Sequence, residues 1–175
     1  MSSLSVQPAI HREWAGDKAS QVLTFVLGGE SFGVHILRVQ EIRGWSAVTR
    51  IPHSPPHVLG VLNLRGAVVP VFDLRLRFQL TKAEYNALTV IIVVSVMNGD
   101  ARREVGLVVD GVSDVVDVDA ANLRPTPDLG ASGATDHISG LLQAGDRMVV
   151  LLDIDRLIGT SSLPSQHEAA RGVAA

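Results

Sequence analysis

Apolar residues in this chain come in short, dense runs, cut every 6 to 12 residues by Gly, Pro, Asn or Asp. Runs of that length, rich in Val and Ile and bounded by turn residues, predict β-strands. They fall at Gln21–Leu27, Phe32–Ile36, Ala47–Ile51, Val61–Leu64, Val68–Phe72, Thr89–Met97, Glu104–Val109, His137–Leu142 and Met148–Leu152. Turn residues sit between them at Gly28-Gly29, Arg65-Gly66, Asn98-Gly99-Asp100 and Gly145-Asp146. No segment of 12 or more residues carries a clean helical stripe. Short helical turns are expected after Asp73 and Asp153, where an acid ending a strand can cap the N–H groups that follow. The chain reads as all-β, with polar tails expected over residues 1–20 and 161–175.

Val68–Phe72, Val90–Val94 and Met148–Leu152 are continuous apolar runs rather than alternating ones. A small barrel takes alternate residues inside, so the others face outward and need a cover. A repeat within the chain suggests what covers them. Gly33–Ile42 aligns without a gap on Gly106–Val115, matching Glu41 with Asp114. Gly60–Leu74 aligns in the same way on Gly140–Ile154, matching Asp73 with Asp153. Duplication predicts two lobes, each a small barrel of about five short strands, packed on each other. The lobes are expected near 21–80 and 88–152, with terminal segments free to exchange between them.

Composition narrows the function. Fifteen Lys plus Arg against 18 Asp plus Glu leave no basic excess for a nucleic-acid partner. Cysteine is absent, which removes disulfides, thiolate metal sites and a cysteine nucleophile, and fits a reducing cytoplasm. The longest apolar run, Leu88 to Met97 broken by Thr89 and Ser95, is ten residues, about half of what a membrane span needs. The N-terminal stretch does not read as a secretory signal. His53 and His57 flank Ser54-Pro55-Pro56, so no helix can align them on a metal. The acids Asp110, Asp114, Asp117 and Asp119 lack the DxDxDG calcium spacing and read as a solvated edge. Neither a GxSxG elbow nor a Walker loop nor GxGxxG is present. No cofactor and no catalytic group is expected.

The distinctive chemistry lies at turns. Asn63-Leu64-Arg65-Gly66 puts an arginine at a hairpin apex, with Gly66 expected to take the positive φ. An apex arginine either solubilises the turn or offers a donor fork beside the apolar outer face of Val61–Phe72, a common hot-spot arrangement. Val39-Gln40-Glu41-Ile42-Arg43-Gly44 similarly flanks an acid with apolar residues, which core packing explains equally well.

These segments resemble a known family. Phe32-Gly33-Val34, then Ile36 through Gly44, then Val48-Thr49-Arg50-Ile51-Pro52 look like the first half of the CheW-like chemotaxis coupling proteins. Gly60 through Gly66 and Pro70-Val71-Phe72-Asp73-Leu74-Arg75 resemble that family's central signature. Val108 through Val115 and Gly145-Asp146-Arg147-Met148 continue it in order, so the resemblance spans about residues 20 to 160. It implies two SH3-like five-stranded barrels around a shared hydrophobic core. It implies an adaptor joining the cytoplasmic tips of chemoreceptors to the regulatory domain of the histidine kinase CheA. Such a protein is cytoplasmic and is recruited to the inner face of the membrane through receptor arrays. Matched by motif, the receptor-binding positions are Val39, Glu41 and Arg65, and the kinase-binding positions are Arg124 and Leu129. Two departures stand out: His57 where an aromatic is usual, which bears on the packing beside Arg65, and a longer hairpin from Asn98 to Glu104, which need only extend a loop. A scaffold of the same fold in another chemosensory pathway, such as pilus motility, fits as an alternative; a small β-barrel enzyme would need motifs that are missing.

Overall fold

The computed structural model describes residues 20–80, 84–127 and 136–159. The expected tails, apart from Ser20, and Leu129 lie outside them. The chain begins with β1 (Ser20–Leu27) and β2 (Glu30–His35), then a 3-10 turn (Ile36–Arg38) leading into β3 (Val39–Gly44). A hairpin of β4 (Val58–Leu64) and β5 (Ala67–Asp73) runs into the short α1 (Leu74–Arg77). Next come β6 (Val90–Asn98), β7 (Ala101–Val109), β8 (Gly111–Val118) and the two-residue β9 (Leu123–Arg124). A last hairpin, β10 (Ile138–Ala144) and β11 (Arg147–Leu152), ends in α2 (Ile154–Gly159). Both helical turns follow the expected acids. The Asp73 carboxylate accepts from Arg75 N–H at 3.0 Å and that of Asp153 from Arg156 N–H at 3.1 Å. Among the described residues no helix is long and apolar enough to cross a membrane.

The strands form two sheets, ordered β3-β6-β7-β5-β4 and β8-β1-β2-β11-β10-β9. With β9 set aside, the second order is the first with each strand replaced by its counterpart in the repeat. The expected all-β fold of two five-stranded units is therefore the one adopted. The sequence spans 21–80 and 88–152 each supply strands to both sheets. The first sheet takes β3, β4 and β5 from the first span and β6 and β7 from the second; the other sheet is composed the opposite way. The spans join in each sheet twice, through the antiparallel pairs β3 with β6 and β1 with β8 and through the parallel pairs β5 with β7 and β2 with β11. Gly106 faces Val71 in one parallel join and Gly33 faces Leu151 in the other. An added Cβ would crowd Val22 at Gly33 and Ile91 at Gly106 most tightly, which explains why the repeat keeps glycine there.

This exchange accounts for the continuous apolar runs. Along β6, Ile92, Val94 and Val96 enter the core shared between the sheets, while Ile91 and Val93 fill the inside of their own sheet's curl. Along β1, Leu23, Phe25 and Leu27 face the shared core, and Val22 faces the other sheet's interior with Leu142, Val149 and Leu151. A strand buried on both faces has no polar side to alternate.

Two sequence expectations need correction. Ala47–Ile51 forms no strand, only a bridge from Thr49 to Val61, and β3 and β8 occupy segments read as polar or functional. The long hairpin at 98–104 is not an extended loop. Its ladder continues to Asn98 opposite Ala101, closed by the two-residue turn Gly99-Asp100.

His57 and His137 take matching places in the repeat. The carbonyl of His57 accepts from Asp73 N–H and that of His137 from Asp153 N–H, both at 2.8 Å. Their rings stack on Phe72 at 6.1 Å and on Phe78 at 5.2 Å. Burial, and then the charge of Arg77, hold both imidazoles below the ordinary 6.5, with Asp136 opposing part of this at His137. The unfolded chain therefore takes up protons that the folded chain resists. This contribution is fully present above pH 6.5 and is lost as pH falls through the lowered values. Thermal melts between about pH 7.5 and about pH 5 should show a falling Tm, less steep in a His57→Gln, His137→Gln variant. Equal slopes would contradict this reading.

Candidate functional site

Arg65 and Glu41 come from opposite edges of the first sheet and meet there. Arg65 Nη2 lies 3.3 Å from Glu41 Oε2, with the arginine exposed and the acid half-buried. Strands β3 and β5 are three places apart in the sheet order, about 14 Å if the sheet were flat. The sheet is therefore rolled, and the Thr49–Val61 bridge ties the chain after β3 to the far edge strand β4. Rolling puts the hairpin turn beside an edge strand. It also leaves the large apolar side chains of Ile42 and Val68 exposed.

The turn itself is tighter than expected. Arg65 has φ 54 and Gly66 φ 83, so both central residues are left-handed, the pattern of a type I′ hairpin turn. Gly66 alone was expected to carry that geometry, but Arg65 shares it at a cost that Asn or Gly would not bear. The Asn63 side chain accepts from Gly66 N–H at 3.0 Å and holds the turn closed. The guanidinium therefore projects from a fixed backbone.

Val39 sits two residues before Glu41, across a register shift, and packs at the rim of the shared core. Val39 thus sits beside the shared core, while Glu41 meets Arg65 at the β4–β5 turn. His57, the departure expected to matter beside Arg65, lies at the opposite end of the seven-residue β4. Arg124 is exposed on β9, and its guanidinium turns back on the Ala121 carbonyl at 2.8 Å and the Leu123 carbonyl at 3.3 Å.

Two arginine networks elsewhere in the fold were not visible in the sequence. Arg38 pairs with Asp155 at 2.8 Å and donates to the Ser95 carbonyl at 3.2 Å, fixing the start of β3 against α2. Arg75 is buried between Asp73 at 2.9 Å and Asp110 at 3.0 Å, with the Tyr85 ring 4.9 Å away. The Tyr85 hydroxyl donates to Asp73 at 2.9 Å, and its pKa is pushed up to about 12 by burial and then by that acid. The Asp73-Leu74-Arg75 spacing was the one available signal, since an acid and an arginine so close can pair across a turn. The other acids of the 110–119 run also have separate partners: Asp114 has Thr24 and Arg147, Asp117 has Gln21, and Asp119 has Asn122. No cluster that could hold a metal occurs among the described residues.

The CheW-like domain family matches residues 21–162. The chain belongs to the CheW-like domain family. Chemotaxis protein CheW of Klebsiella aerogenes is 43% identical over 158 residues, covering 90% of this chain and 93% of that one. Protein FrzA of Myxococcus xanthus is 31% identical over 139 residues, covering 78% and 84%. Among solved structures, the scaffolding protein TtCheW from Thermoanaerobacter tengcongensis matches with a TM-score of 0.72. It is 28% identical, with 80% of this chain and 92% of that one covered. The CheW-like assignment agrees with the rolled sheets, the shared core and the repeat.

Proposed function

We propose that this CheW-like chain is a non-catalytic adaptor that couples the cytoplasmic tips of chemoreceptors to the regulatory domain of the histidine kinase CheA. The observation that carries the reading is the Glu41–Arg65 pair, with the arginine exposed on the β4–β5 turn and Val39 two residues before Glu41 on the same strand. In the free protein an exposed pair contributes about 0 to 1 kcal/mol to stability. Under a docked helical tip, water leaves and the same donors and acceptor face partner groups in a lower dielectric, where they discriminate strongly. Val39, Glu41 and Arg65 are the receptor-facing residues in this account. Arg124 on β9 and Leu129, which lies outside the described residues, are the kinase-facing residues in this account. The chain works in the cytoplasm and reaches the inner membrane face only through its receptors. The similarity to FrzA supports a second reading, the same scaffold in a different chemosensory pathway with another kinase output.

Two substitutions test the receptor side. Arg65→Glu should weaken binding of a soluble receptor-tip fragment about thirtyfold, on the order of 2 kcal/mol. Its melting temperature should stay close to wild type, as for other exposed sites. Arg65→Asn suits the left-handed backbone and removes the cation, so it should match or raise stability and still bind weakly. Unchanged affinity in both would reduce Arg65 to a solubilising apex; a collapsed melting point in both would make it structural.

A further inference from the structure

Strand β3 changes face at the irregularity between Val39 and Glu41. Val39 stands opposite Val94, a residue of the core shared between the sheets. Glu41 stands opposite Val93 and Arg43 opposite Ile91, which both fill the inside of the curl. Residues directly opposite in an antiparallel pair share a face. Glu41 and Arg43 therefore lie side by side on the curl side of this edge strand, and Ile42, opposite Ile92, lies on the other side. Arg43 is the next side chain along that face from the Glu41–Arg65 pair.

The two arginines differ in one respect. Arg65 has Glu41 at 3.3 Å, whereas Arg43 makes no hydrogen bond or ion pair with any described residue. Its Nε is buried without a partner, while its two Nη groups, equally unpartnered, stay open to solvent. Every other described arginine that is not exposed has a partner: Arg38 has Asp155, Arg75 has Asp73 and Asp110, and Arg77 and Arg103 are engaged as well. A guanidinium cannot shed its charge, and a buried donor without a partner is uncommon enough in folded proteins to need a reason. Cover for the apolar inside of the curl accounts for the methylene stem but not for the charge, because methionine would give similar cover without stranding Nε. With Arg65 neutralised by Glu41, this face carries one positive charge that the free chain leaves unanswered.

We propose that Arg43 is a further receptor-contact residue and that it takes a carboxylate, supplied by an Asp or Glu side chain of the docking tip. The proposal rests on the receptor reading of Glu41 and Arg65. The planar guanidinium can give a carboxylate two parallel hydrogen bonds, and exclusion of water under the tip strengthens them. Charge complementarity sets the chemistry of the occupant. A tip presenting lysine or arginine at this point is rejected, so Arg43 contributes discrimination that the already neutralised Arg65 does not.

The test is the affinity of the full-length chain for a soluble receptor-tip fragment, measured by titration calorimetry at low and high salt. Arg43→Gln should bind about tenfold more weakly than wild type at low salt, and its affinity should depend less on salt. Arg43→Lys keeps the charge without the fork and should fall between the two. Arg43→Glu should bind weakest, and it should regain affinity for one tip fragment in a series where each acidic residue in turn is replaced by lysine. Circular dichroism melts of every variant accompany the titrations. Arg43→Gln binding as tightly as wild type at both salt concentrations, while Arg65→Glu loses the tip, would overturn the proposal and leave the receptor reading standing. No tip bound by wild type would overturn both. Weak binding by all three Arg43 variants with no rescue by any tip fragment, or with collapsed melting points, would make Arg43 a structural residue and overturn the proposal as well.

Discussion

Gly60→Ala should cost about 4 kcal/mol of stability, lowering Tm by on the order of 10 °C for a domain of this size. An added Cβ would lie 2.0 Å from the Thr49 carbonyl oxygen, 2.7 Å from its carbon and 3.0 Å from Arg50 Cα. All three are backbone atoms, so no side chain can swing aside. The φ of +148° adds a conformation that L-residues rarely adopt. Relief would require moving the 49–50 segment away. That would break the reciprocal hydrogen bonds Thr49 N–H to Val61 carbonyl at 3.0 Å and Val61 N–H to Thr49 carbonyl at 2.9 Å. Each is worth about 1 kcal/mol, and their loss opens the roll that brings Arg65 to Glu41. The counterpart Gly140 is the control, because its Cβ would sit 3.3 Å from the Arg124 carbonyl oxygen. Gly140→Ala should cost only about 1 kcal/mol, within the common range for single substitutions. Chemical denaturation of both variants decides it; equal, small losses would contradict the closure described here.

A fragment of residues 89–152 should not fold alone. It retains β6 and β7 but loses β3, β4 and β5 from their sheet, and it retains β8, β10 and β11 without β1 and β2. Leu23, Phe25, Leu27, Val34, Val58, Phe72 and Leu74 would leave the shared core. At about 2 kcal/mol for each large buried side chain, that is comparable to the whole net stability of a typical domain, about 5 to 15 kcal/mol. The fragment should be aggregated or lack cooperative unfolding, and co-refolding with the complementary piece should restore a single transition. A soluble fragment unfolding cooperatively by itself would contradict the exchanged architecture.

Much of this was legible in the residues. The internal repeat carried the two-unit plan, and the two-sided apolar runs carried the demand for a shared core. What stayed hidden was which strand joins which sheet. Hydrophobic pattern records that both faces of β6 are covered but not by whom. Edge strands β3 and β8 also escaped notice, because the polar residues Gln40, Glu41 and Arg43, or Ser113, Asp114 and Asp117, interrupt the apolar signal. Ala47–Ile51 had the composition of a strand, yet it lies between Gly44 and Pro52 and makes a single bridge to β4. At the candidate site, the turn and its arginine were visible, while the left-handed φ of Arg65 and its contact with Glu41 depend on rolling the sheet. The Arg38–Asp155 pair joins residues 117 apart and leaves no local trace.

The central claim, that this chain couples receptors to a kinase, is tested most directly by reconstitution. Purified full-length chain would be added to receptor-containing membranes and the kinase CheA, and autophosphorylation followed with and without attractant. The account predicts that the chain raises kinase activity and places it under receptor control, and that Arg65→Glu at the same concentration restores little of either. Unchanged kinase control on adding wild-type chain, with kinase and receptors each shown to be active, would contradict it.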